Sequence, residues 1–129
     1  VGDWDLMVLL TMGLVLAVLF IVPFLVYAAG NAAGVIKAPT GISPAAFLTS
    51  VFLSKVGTAI AFVLLFRLAQ ESVGGQWLLF ALPWWIMFVV GEIGYACGPN
   101  YSWQEAVAGI LSETIYVPLA AFLAHWLLG

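Results

Sequence analysis

Apolar positions run through this chain in four long blocks, separated by short polar stretches rich in glycine and proline. Crossing a hydrocarbon layer about 30 Å thick takes about 20 helical residues, and each block meets that length. The pattern predicts membrane helices over residues 4–29, 44–69, 76–97 and 103–128. "GNAAGVIKAPTGIS" breaks the first run, "QESVGG" the second and "GPNYS" the third. Two helix starts are marked locally. Ser43-Pro44 supplies an N-cap and then a proline where the missing N–H does no harm. Ser102-Trp103-Gln104-Glu105 reads as a capping box.

Short connections force neighbouring helices to alternate in direction. The expected fold is therefore an all-α integral membrane protein, a single four-helix antiparallel bundle with short loops. Helices two and four should run parallel. The aromatic residues fit this arrangement: Trp4, Trp77 and Trp126 fall at one interface, Tyr101 and Trp103 at the other, as an aromatic belt requires. Both termini share one side. Lys37 in the first loop favours a cytoplasmic loop and non-cytoplasmic termini, against a contrary vote from Arg67; Asp3 and Asp5 count for little.

Composition sharpens the membrane assignment. Sixty-five percent of the 129 residues are hydrophobic and 7% are charged, against roughly 25% charged in soluble domains. The lipid bilayer is thus the first partner. A net charge of −3 without any basic run gives no footprint for nucleic acid. One cysteine, Cys97, excludes an internal disulfide and a cysteine metal cage. The start "VGDWDLMVLL" lacks the basic region of a signal peptide, so the first apolar block is expected to stay as a span.

The chemistry lies in the few charges inside the spans. Lys55 stands eleven residues after Pro44 and Glu113 ten after Trp103, depths of roughly 16 and 15 Å from the same face at 1.5 Å per residue. Each is expected to be the other's counter-ion near the midplane. Glu92, about 8 Å from that face, is left without a base. It is expected to face water, to exchange protons, or to bond Thr49, Ser50 or Ser54. Beside these charges, Ser50, Ser54 and Thr58 on helix two, with Tyr95 and Tyr116 three residues after the glutamates, are expected to line a polar cavity. On helix four, Glu105, Gly109, Glu113, Tyr116 and Ala120 form one stripe. Gly91, Gly94 and Gly98 read as close-packing positions on helix three.

Pro23, Pro83 and Pro118 each free a carbonyl four residues earlier. "LFIVPFLVYAAG" and "LFALPWWIMFVVG" echo each other, in the way generic apolar sequence does. His125 reads as an interfacial residue, and Arg67 with Glu71 as an interfacial pair.

No nucleotide loop, no Ser/His/Asp or Cys/His set and no histidine cluster occurs, so no catalytic residue, metal or cofactor is expected. Two classes remain. One is a homo-oligomeric transporter or channel, in which Lys55, Glu92 and Glu113 carry proton- or ion-coupled passage of a small solute. The other is an accessory subunit of a larger membrane complex, with "PWWIMF" packing on a partner.

Overall fold

A computed structural model describes the backbone of residues 2–37 and 41–129, and the side chains from residue 6 onward within those ranges. Four helices cross the molecule: α1 (Gly2–Ala32), α2 (Pro44–Val73), α3 (Trp77–Ala96) and α4 (Trp103–Leu128). All four are long and apolar enough to span a bilayer, and they form an antiparallel bundle. The protein is thus a four-helix transmembrane bundle.

Local chemistry explains the ends. The Ser43 hydroxyl accepts from the Ala46 amide at 3.1 Å, and Pro44 opens α2 without losing a bond. At the other end α2 runs four residues past the expected stop. It ends at Gly74, whose φ of 58° only glycine adopts freely and whose amide closes on the Gln70 carbonyl. In α1 the helix continues to Ala32, and the amides of Val35 and Ile36 then turn back onto the Gly30 carbonyl. The Ser102 hydroxyl caps α4 through the Glu105 amide at 3.1 Å. The second half of the capping box differs from expectation, because the Glu105 carboxylate takes the Ser102 hydroxyl proton at 3.2 Å.

Packing is uneven. Helix α4 lies between α1 and α3 and makes broad contact with both; α2 leans on α1 and touches α3 and α4 only lightly. Buried Ala106, Ala108, Ala120, Ala121 and Ala124 let neighbouring backbones come close to α4. In lipid that closeness is the main source of stability, because the solvent is itself apolar. The exposed leucines and isoleucines of every helix are therefore ordinary lipid-facing residues. Small-residue contact was expected on α3, but a Cβ built at Gly91 or Gly94 meets nothing within 4 Å. Their face of α3 points away from the bundle, and alanines of α4 provide the seam instead.

At the end holding the α2 C-terminus, rings interlock. Phe62 and Phe66 of α2 pack edge-on against Phe80 of α3, at 5.1 Å between centroids in each case. Trp84 adds to the stack through Phe62 and Phe88. The Gln70 amide donates to the Leu128 carbonyl and accepts from Arg67, tying the ends of α2 and α4 together. Trp77 packs on Phe122 at the same end as exposed Trp126, with exposed Trp103 at the other; the Trp4 side chain lies outside the described residues. Both indoles of "PWWIMF" are engaged within the chain, Trp84 in the ring stack and Trp85 by donating to the Thr114 hydroxyl at 2.9 Å.

Candidate functional site

The opposite end of the bundle is open. No residue of α1 after Leu19 and none of α2 before Ala59 is buried. Between the separated helices lies a cavity of about 890 Å³, within the usual size range of small-molecule sites. Helices α1 and α2 supply its apolar walls, with Phe20 and Phe24 facing Phe47, Leu48 and Val51. Most polar groups come from the other side and from the floor, Glu92 and Tyr95 of α3, Tyr101 of the loop, and Ser112, Glu113 and Tyr116 of α4, while Tyr27 and Asn31 of α1 and Ser54 of α2 add a few on the near side. Lys55 enters from α2, and exposed Lys37 stands on the lining in the first loop.

Glu92 is placed by an absence. A Cβ at Gly109 would overlap the Glu92 carboxyl, so the glycine is what admits that carboxyl to the surface of α4. One turn further along, Glu113 is buried at 6% exposure and interacts electrostatically with Glu92. Its Oε1 is buried without a hydrogen-bond partner. Unsatisfied buried oxygens are rare because each forfeits its hydration without recompense. Helices α3 and α4 thus present two neighbouring acidic groups, Glu92 and Glu113, to the floor of the cavity.

Lys55 does not close directly on Glu113. Its ammonium donates to the Tyr116 hydroxyl at 3.3 Å and lies 4.9 Å from the centre of that ring. Electrostatic coupling to Glu113 remains, with the phenol between as the helper. The reason is the light contact between α2 and α4: the lysine stem spans the gap and the first polar atom it meets belongs to Tyr116.

A hydroxyl relay joins Glu92 to the open end. Tyr101 donates to Glu92 Oε2 at 2.6 Å, a length typical of bonds to an ionised acceptor. The Tyr27 hydroxyl lies 3.0 Å from Tyr101 and 3.0 Å from the Glu105 carbonyl. Burial, and then the bond to Glu92, push the Tyr101 phenol well above its ordinary range. It therefore stays protonated and acts as a donor. The sequence reading left these two tyrosines out of the site. Tyr101 returns to the bundle from a loop, where periodicity carries no information; Tyr27 follows Pro23 by one turn, which was a usable signal.

Of the expected residues, Lys55, Glu92, Glu113, Ser54, Tyr95 and Tyr116 are on the cavity lining. Ser50 and Thr58 are not, and the hydroxyls of Thr49, Ser50, Ser54 and Thr58 all bond carbonyls of their own helix. Glu92 accordingly takes its bond from Tyr101 and not from a hydroxyl of α2. Tyr95 is 70% exposed and stacks edge-on against Tyr101 without bonding Glu92. No cluster of three or more metal-ligating side chains occurs among the described residues.

Comparison with known family models, curated proteins and solved structures yields no match. The fold and composition define the class: a small, polytopic, helical membrane protein with a half-open cavity at its charged residues.

Proposed function

We propose that the chain is a subunit of a membrane carrier that exchanges protons for a small solute at Glu92 and Glu113, with a second copy completing the path. One observation carries this reading. A cavity open at one end stops at a buried carboxyl with an unsatisfied oxygen, and an interlocked ring stack closes the route beyond it. That is the form expected of one access state in a carrier whose site lies near the midplane. A water-filled channel would need a continuous route, and Phe62, Phe66, Phe80 and Trp84 interrupt it.

The proton step follows from the neighbours. The ionisable groups lining the cavity with the acid pair are Lys55 from α2, Tyr27 from α1, Lys37 and Tyr101 from the loops, Tyr95 from α3, and Glu105 and Tyr116 from α4. The two carboxyls of the pair are the groups to which we assign the proton exchange. Proton arrival through the Tyr27–Tyr101 hydroxyls neutralises an acid and weakens its hold on a positively charged solute. Proton loss restores that hold. Lys55 keeps the floor from carrying two uncompensated negative charges. By the positive-inside rule, Lys37 sets the open end towards the cytoplasm and both termini outside.

Proteoliposomes loaded with a pH-sensitive dye test the reading against panels of amines, amino acids, sugars and carboxylates. One panel should drive proton movement above the level of protein-free vesicles, and both Glu92→Gln and Glu113→Gln should abolish it. Silence across every panel, or unchanged movement in the glutamine variants, overturns the proposal.

A further inference from the structure

We infer that the solute is an amphipathic organic amine in its protonated form, with at least one N–H and an apolar body. This deepens the carrier reading and rests on the same cavity. Glu113 lines the cavity, and its Oε1 is buried and has no donor. Lys55, which could have supplied one, spends its ammonium on the phenol and ring of Tyr116. Glu92 accepts from the Tyr101 hydroxyl on one oxygen. The pair of carboxyls therefore shares one ammonium held at a distance. Beside this hydrogen-bonded pair of carboxyls one buried oxygen still has no donor, and a protonated amine brings a donor together with a charge.

The walls identify what the amine is attached to. Phe20, Phe24, Phe47, Leu48 and Val51 make much of the α1 and α2 wall apolar, a surface that pairs with hydrocarbon or an aromatic ring, with Tyr27, Asn31 and Ser54 as its polar points. A bare inorganic cation would need oxygens on most sides, and here much of the α1 and α2 wall is hydrocarbon. A quaternary ammonium would supply charge without a donor. A zwitterion would need a cation for its carboxylate; Lys55 already lies over Tyr116, which leaves Lys37 of the first loop as the other lining cation, and phenylalanine among the probes decides between the two. The cavity, at about 890 Å³, has room for a drug-sized molecule.

The test is equilibrium binding by calorimetry on the whole chain in nanodiscs. The probes are 2-phenylethylamine, 2-phenylethanol, phenyltrimethylammonium, phenylalanine and sodium chloride. The amine should bind at least about tenfold more tightly than the alcohol, the effect of one charge-assisted bond. It should also outbind the quaternary cation and the zwitterion, and Glu113→Gln should erase its advantage over the alcohol. Equal binding of amine and alcohol overturns the inference, as does tighter binding of phenylalanine or displacement of the amine by sodium. The comparison of probes on the unaltered chain decides the matter even if Glu113→Gln does not fold, and Glu92→Gln gives a second variant. Amine binding without any proton-coupled flux would sink the carrier reading and leave the ligand class standing. Flux driven by another panel, without amine binding, would do the reverse.

Discussion

Apolar residues dominate both ends of the bundle, yet the two ends pack in opposite ways. Towards the α2 C-terminus, Val8, Val15 and Leu19 of α1 meet Ala59, Phe62 and Val63 of α2 and Val117, Ala120 and Ala121 of α4 in one continuous core. Towards the α2 N-terminus the same three helices enclose a cavity. The difference lies in what faces inward from α3 and α4. At the closed end these helices offer alanines and rings, which fill space and ask for nothing. At the open end they offer Glu92, Glu113 and Tyr101, which need partners that α2 cannot supply with its hydroxyls turned back on its own carbonyls. Apolar groups alone do not decide packing in lipid; shape and polar satisfaction do.

Truncations should expose that contrast most strongly. Phe62 is fully buried between Phe80 and Trp84, and Phe62→Ala should cost about 3 kcal/mol, the lower part of the range because lipid reduces the transfer share of the loss. Val51, on the cavity wall, should lose less than about 0.5 kcal/mol on truncation to alanine. Unfolding titrations in mild detergent measure both. Equal losses would mean that the cavity is a packed region whose contacts were misjudged.

The next effect in size sits at the boundary between the regions. Gly109→Ala places a methyl where the Glu92 carboxyl rests, and should destabilise by about 1–2 kcal/mol through overpacking. It should also move Glu92 off α4 and impair proton-coupled flux while leaving Lys55 and Tyr116 in contact. Gly94→Ala, on the same helix as Glu92 and facing open space, should be nearly silent. If both alanines behave alike, Gly109 is not what positions the acid.

How much of this was readable beforehand follows the same division. Span positions came from run lengths, because a bilayer imposes them. The rotation of each helix was harder to read. Helices that are apolar on all sides carry no amphipathic stripe to show which face turns inward. For that reason Gly91 and Gly94 were assigned to a contact they do not make, and Ser50 and Thr58 to a cavity they do not line. The lean of α2 away from α4 has no local signature at all, and it is what diverts Lys55 to Tyr116. Tyr101 was visible as an interfacial aromatic, but its bond to Glu92 depends on how a five-residue turn folds back.

Tyr101 also gives the smallest effect and the only one with a sign in pH. The phenol is held protonated in the folded protein by burial and by Glu92, whereas in the unfolded chain it ionises near pH 10 (about its reference value). A group whose folded value is raised stabilises the fold below the unfolded value and loses that contribution as pH rises past it. Tyr101→Phe should therefore be less stable than the parent at pH 8, by about 1 kcal/mol for a half-buried bond to a carboxylate. Between pH 8 and 11 the parent should lose more stability than the variant, so the gap between them should narrow. Thermal unfolding at the two pH values measures the gap, and a constant difference would mean that the Tyr101 hydroxyl reaches water instead of holding Glu92 at the edge of the open end.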